Sequence, residues 1–289
     1  MAKKKSGRIA VPFLVTIFLG LIIIGGGAFW IYNYLGLNKS APLDEPTPRA
    51  ASTVSAEDNH TILLILDEPE QKCSSTFVLM RSRPLEKKVT FIGIPTNTIS
   101  IIDGQQEHIQ NSYERGGAQS AVNFVNQTFG ITIDRYIKFD SESFKKICDV
   151  LGGVTYYVEP DIAGFKKEGG EEYLNSRQIE TLITYPMFNG REVQRAYTAS
   201  SLLSSMINQT DGKRVADNFK TSFDSIINMV NTDITAVDYK NRQYAIRNML
   251  EFGTSIADFV IMDGDTSNDD FIPSENFLNS VKTTYFKDW

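Results

Sequence analysis

The sequence predicts an α/β (α+β) sandwich: a mixed central sheet with helices on both faces, preceded by one transmembrane helix. Three observations carry this expectation. Residues 61–66, TILLIL, are apolar without alternation, as in a strand covered on both faces. Stretches of helical periodicity interleave with short β-branched runs along most of the chain. Residues 9–32 carry no charge, and at about 1.5 Å per residue they would cross a hydrocarbon core of roughly 30 Å.

The elements are justified in order. Residues 1–8, MAKKKSGR, form a short head whose Lys3, Lys4, Lys5 and Arg8 precede the span, and the next basic residue is Lys39. The positive-inside bias places this head in the cytoplasm and the chain after about residue 37 outside. Trp30, Tyr32 and Tyr34 sit where an outer aromatic belt would be, and Pro12 falls in the first turn, where its missing N–H costs little. The apolar run exceeds the roughly 7–15 residues of a signal-peptide core, so it reads as a retained anchor. Residues 33–58 form an extracellular linker, rich in Pro, Ala, Ser and Thr from 38 onward. Residues 59–289 then suffice for one domain with its own core.

Within that domain, residues 77–80 and 89–94 read as a hairpin around the charged turn 84–88. Gly104 marks a turn. Ala118, Ala121, Val122, Val125 and Phe129 recur at helical spacing between Gly116–Gly117 and Gly130. A strand at 136–139 precedes a helix at 144–151 that Ser141 could cap, closed by Gly152–Gly153. Residues 154–158 form a strand and 160–173 a loop. Helical stretches follow at 175–184, 190–208, 213–230 and 235–251, with a late strand at 256–262.

Composition excludes several function classes. The whole chain has 29 Lys and Arg against 35 Asp and Glu, a net charge of −6. With the four cationic residues of the head set aside, 25 remain against 35 outside. An ectodomain so acidic is a poor partner for nucleic acid, whose binding depends on phosphate neutralisation. Only His60 and His108 are present, too few for a His-based zinc site beside a Ser-His-Asp triad. Cys73 and Cys148 lie outside, where a disulfide can form. Cys148 also falls on the apolar stripe of Phe144, Ile147 and Leu151, which suits a buried thiol.

Several stretches together resemble the LytR-CpsA-Psr (LCP) domain, found in membrane-anchored extracellular proteins of mostly Gram-positive bacteria. NHTILLILDEPEQKCSSTFVLMRSRPLEKKVTFIGIPTNT resembles its opening strand, loop and hairpin, and GGAQSAVNFVNQTFGI with FKKICDVLGGV its most specific block. YLNSRQIETLITYP is similar to its next helix. The resemblance covers roughly residues 59–262 and implies a single-pass protein of the cell membrane. It further implies transfer of a glycopolymer phosphate from a polyprenyl diphosphate to peptidoglycan, with Mg²⁺ held by carboxylates. Such a site needs guanidinium groups around the diphosphate and an apolar groove for the lipid tail.

The pattern is depleted in this chain. Asp67 matches the acid after the first strand and is the candidate Mg²⁺ ligand, whereas Ser75 replaces the second acid. Where the family reads Ile-Pro-Arg-Asp-Thr, this chain has Ile94, Pro95, Thr96, Asn97 and Thr98, leaving Thr96 and Asn97 as candidate ligand contacts. Its Asn-Ala-Ala-Tyr stretch becomes Gln110, Asn111, Ser112 and Tyr113, and two alternating arginines become Thr184 and Pro186. Its Asp-x-x-Arg-x-x-Arg-Gln becomes Asn189, Glu192, Arg195 and Ala196. In a register shifted by one, Arg191 is the first arginine and Gln194 replaces the second. Arg191 and Arg195, four apart with Gln194 beside them, are the candidate catalytic anion site. As solvated surface arginines they would have no such role.

Three functions compete. A non-catalytic relative would bind a polyprenyl-linked or wall glycopolymer, and an active phosphotransferase would use a rearranged site. A structural ectodomain would bind partners and no lipid. Loss of most charge-neutralising positions favours the first, since each such contact supplies roughly 2–4 kcal/mol to a transition state.

Overall fold

The computed structural model describes residues 53–67, 75–102 and 104–287. The predicted head, the span at 9–32, most of the linker and Cys73 lie outside the described residues. Among those described, no helix is long and apolar enough to cross a membrane.

Strands β1 (His60–Leu66), β2 (Thr76–Arg83) and β3 (Lys88–Ile94) form the antiparallel meander that the apolar runs predict. β4 (Ile99–Ile102) and β5 (Gln105–His108) make a small hairpin around Gly104. The chain continues through α1 (Ile109–Phe129), β6 (Arg135–Phe139), α2 (Ser141–Leu151), β7 (Val154–Val158) and β8 (Gly170–Leu174). Next come α3 (Ser176–Ile183), α4 (Arg191–Gln209), α5 (Gly212–Asp217), α6 (Phe219–Ile227), β9 (Asn231–Thr232) and α7 (Ala236–Phe252). β10 (Ala257–Val260), β11 (Gly264–Ser267), β12 (Asp270–Pro273) and α8 (Glu275–Ser280) complete the order.

Among the described residues, six strands form the main sheet in the order β10-β3-β2-β1-β6-β9. β10 runs parallel to β3 and β6 parallel to β1, while the other pairs are antiparallel. The mixed sheet is therefore as expected. The two-residue period of the strands divides the core. Leu63, Ile65, Phe77, Leu79, Ile92 and Ile94 pack with Ala121, Val125 and Phe129 of α1. Leu66, Val78, Val89 and Phe91 face the other way, against Cys148, Ile179, Leu202 and Met249 of α2, α3, α4 and α7. Gly93 permits the closest contact on that second face. A Cβ there would lie 1.9 Å from the Ala196 carbonyl oxygen, so the bare glycine lets α4 rest directly on β3.

Local expectations need correction in several places. Asp140, not Ser141, caps α2, because its side chain accepts from the Ser143 amide while Ser143 reciprocates. The helix around Ala118 begins at Ile109, and Gly116 and Gly117 are a non-helical kink within it. The loop at 160–173 ends in β8, which pairs with β7. The helix predicted at 213–230 breaks at Asn218 into α5 and α6 and closes in β9. Residues 56–58, within the predicted linker, form a 3-10 turn with a capping box on Ser55. Cys148 is a buried free thiol, in keeping with its place on the apolar stripe, while Cys73 lies outside the described residues. Burial pushes its pKa up to about 12.

Candidate functional site

The exit of β3 is a tight turn. Both the amide and the hydroxyl of Thr98 donate to the Pro95 carbonyl, at 3.0 and 2.7 Å. The amides of Ile109 and Gln110, at the start of α1, donate to the carbonyls of Thr98 and Thr96. The turn borders a cleft of about 600 Å³ with His108, Arg191, Glu192 and Asp269 on its walls. Thr96 and Asn97 thus lie at the end of the hairpin, bordering a cavity beside the N-terminus of α4.

Their side chains are engaged inside the protein. The Thr96 hydroxyl donates to Glu192 Oε2 at 2.5 Å, and Asn97 Nδ2 donates to the Asp269 carbonyl at 2.5 Å. Asn97 Oδ1 is buried and accepts no hydrogen bond. The basic side chains of the cleft have partners as well. Arg191 bridges to Asp269, and His108 Nε2 lies 2.6 Å from Asp270.

Arg191 and Arg195 do not form the shared cationic face that their spacing suggests. The Arg191 side chain is 76% exposed and that of Arg195 is 3% exposed. Gly190 and Arg191 have φ of 97° and 50°, so regular helical phase begins only after Arg191 and the four-residue rule does not reach back to it. Arg195 turns inward, donating from Nη2 to Glu192 Oε2 at 2.7 Å and to the Ser75 carbonyl at 3.1 Å. It is a buried cation and not a solvated one. Gln194 points elsewhere and donates to Glu159 at 2.9 Å.

Asp67 sits at the end of β1 on the α1 side of the sheet. Its Oδ2 accepts from Tyr113 at 2.8 Å and from Lys138 Nζ at 2.8 Å. The bond to Asp67 raises the Lys138 pKa, and burial pushes the Tyr113 phenol up to about 12, with the bond to Asp67 adding to it. Among the described residues this cluster does not suit Mg²⁺. One carboxylate oxygen already serves an ammonium and a phenol, and Ser75 and Asn97 offer no second acid. Among the described residues, no group of three His, Cys, Asp or Glu could hold a metal. Lys138 was missed by sequence reasoning. A lysine in a short apolar strand is a weak signal, and its partner emerges only because β6 lies beside β1, opposing Lys138 to Ile65.

An apolar cavity lies on the opposite face of the sheet from Asp67. With a volume of about 320 Å³, it lies between Ile62, Met80 and Phe91 of the sheet and Phe223, Ile246 and Leu250 of α6 and α7. Asp58, His60, Asp238 and Arg242 also border it. It shares no lining residue with the cleft at Thr96 and Asn97. Between the two, Phe139, Phe144, Leu182 and Phe188 fill the core.

Comparisons with known proteins agree with this architecture. Residues 33–268 match the LytR_cpsA_psr family. A Halalkalibacterium halodurans protein, the polyisoprenyl-teichoic acid–peptidoglycan teichoic acid transferase TagU, is 29% identical over 181 residues. That match covers 56% of this chain and 59% of the relative, so the chain spans well under two thirds of the relative's length. The protein of the same name from Bacillus licheniformis is 24% identical over 260 residues, 82% of each chain. A crystal structure from Eubacterium siraeum, described as a transcription regulator, superposes with a TM-score of 0.72 at 22% identity, over 86% of this chain and 99% of that one. At that identity the likeness establishes the fold alone.

Proposed function

Because this chain belongs to the LytR-CpsA-Psr family, we propose that it is a membrane-anchored extracellular protein of cell-envelope assembly that binds a polyprenyl-linked or wall glycopolymer and does not transfer it. The names of its relatives, transferases joining teichoic acid to peptidoglycan, support the envelope context. In this reading residues 9–32 are the anchor, in the cell membrane of a Gram-positive-type bacterium, and the domain lies outside.

The observation that carries the non-catalytic reading is the internal pairing of the charges that remain. Stabilising a transferring phosphoryl group requires preorganised cations facing the substrate. Arg195 is turned into the core against Glu192, Arg191 is held by Asp269, and Lys138 is held by Asp67. Glu192, Asp269 and Asp270 would oppose a diphosphate in the cleft. Among the described residues an Mg²⁺ ion would find no second acid beside Asp67, and the two candidate guanidinium groups are paired within the protein.

Lipid binding is supported by the cavity under α6 and α7. Its walls are almost wholly apolar, and burying a prenyl chain there would gain about 25 cal/mol for each Å² removed from water. A partner-binding scaffold without a lipid ligand has no use for such a volume. The test is to purify the full chain from its membrane, extract it and measure bound prenyl phosphate, with a parallel assay for Mg²⁺-dependent release of glycan from a polyprenyl diphosphate. Retained prenyl lipid without turnover is expected. Turnover abolished by Arg195→Ala would overturn the non-catalytic reading, and an empty cavity would overturn lipid binding.

A further inference from the structure

A second groove runs along α4, separate from the apolar cavity and adjoining the cleft at the turn through Phe188. Gln194, Tyr197, Ser201, Ser205 and Asn208 recur at three- and four-residue steps and form one stripe about 20 Å long. Cavities of about 380 and 600 Å³ lie along it and meet at Ser205 and Phe259, and neither shares a lining residue with the apolar cavity.

The groove has two walls. One is the hairpin of β7 and β8, where Tyr157 is 59% exposed. The other is β10, an edge strand. The bond from the Val89 amide to the Ile256 carbonyl sets the parity of the β3–β10 pairing, so Ala257 and Phe259 turn their backbone groups to the free edge. Asn208 takes both groups of Ala257, each at 2.8 Å. By the same parity the N–H and C=O of Phe259 face the free edge, at the junction of the two cavities, beside a ring in a residue that is 37% exposed.

The chemistry selects the occupant. The smaller cavity presents aromatic rings from Tyr157, Tyr197 and Phe259, with the Gln194 amide and the hydroxyls of Thr198 and Ser205. Glu159 and Glu171 are its charged groups, and no Lys or Arg lines it. In the larger cavity Arg83 and Lys88 are each paired, with Glu86 at 2.8 Å and Asp258 at 3.0 Å. Along the whole groove a polymer bearing phosphates would therefore meet the carboxylates of Glu159 and Glu171, and cations already neutralised. A chain with C–H faces for the rings and hydroxyl edges for the amide, carboxylates and free backbone groups fits every element of the wall.

We propose that the groove between α4, the β7–β8 hairpin and the edge of β10 binds an uncharged saccharide chain, independently of the lipid cavity. The proposal rests on the envelope reading above only for the source of that glycan. The test titrates N-acetylglucosamine tetrasaccharide into the full-length chain in detergent micelles by calorimetry, with poly(glycerol phosphate) as competitor. Saturable binding is expected, weakened about tenfold by Tyr157→Ala and by Phe259→Ala, and not displaced by the phosphate polymer. Circular dichroism confirms that the variants are folded, and prenyl-lipid retention is unchanged in both. Absent saturable binding, binding unaltered in both folded variants, or displacement by poly(glycerol phosphate) would each overturn the proposal. Loss of saccharide binding with lipid retained removes the groove alone. Loss of lipid with saccharide bound removes the lipid reading alone.

Discussion

Asp238 ties the wall of the apolar cavity to the sheet, and removing its charge should cost more than a surface substitution. Its two oxygens receive Nε and Nη2 of Arg135 at 2.9 and 3.0 Å. Oδ2 also accepts from the amide and the hydroxyl of Thr235, closing the capping box of α7. Hydrogen bonds to a charged partner contribute about 1.5–3 kcal/mol net, and the partly exposed Arg135 places this fork at the lower end. Adding about 1 kcal/mol for the cap, Asp238→Ala should lose about 3 kcal/mol.

The pH dependence follows from the same contacts. Burial works against the Asp238 carboxylate, but the bonds from Arg135 and Thr235 outweigh it and hold the pKa below the ordinary 3.8. A depressed carboxylate pKa stabilises the fold above the unfolded value, and that contribution is lost as pH falls toward the folded one. The gap between wild type and Asp238→Ala should therefore narrow below about pH 4, by up to about 1.4 kcal/mol per pH unit. Urea unfolding followed by circular dichroism, at pH 7 and at steps down to pH 3, measures both effects. A gap under about 0.5 kcal/mol at pH 7, or one that stays constant to pH 3, would refute the assignment of Asp238 as a charged clamp.

Four further outcomes are expected. Gly93→Ala should lower stability by about 1–3 kcal/mol, because the new methyl meets the backbone of α4 rather than a movable side chain, as a urea midpoint would report. Cys148 should resist iodoacetamide at pH 8 until the chain is unfolded, as mass spectrometry can follow, since burial holds its thiol protonated. Arg191→Ala should change stability by less than about 1 kcal/mol, because its bridge to Asp269 is exposed at both ends; a larger loss in thermal unfolding would show that the pair has a structural role. Millimolar Mg²⁺ or its chelation should leave the melting temperature unchanged, whereas a magnesium-dependent rise would restore Asp67 as a ligand.

The centre of the sheet was legible in the sequence because β1, β2 and β3 are buried on both faces. TILLIL and the runs at 77–80 and 89–94 need only their own apolarity to be read as strands. The hairpins β4–β5 and β11–β12 were not legible: Gln105, Gln106 and Glu107 carry no apolar alternation, and local pairing decides their state. At the site, the positions of Thr96, Asn97 and Asp67 followed from strand ends. The partners of the charges did not. Lys138 reaches Asp67 through strand order, a tertiary fact without a local signature. Glu192 and Arg195 are three apart on one helix, so their pairing is local, but the burial of Arg195 against the Ser75 carbonyl is not. The spacing of Arg191 and Arg195 misled because a helical rule was extended one residue beyond the helical backbone.

Asp58 belongs both to the 3-10 turn where the described chain begins and to the lining of the apolar cavity. The residue that closes the domain's first turn is thus also part of the cavity wall, so a change at that turn reaches the rim of the cavity directly. The groove along α4 borders none of those residues, and the same change leaves its walls untouched.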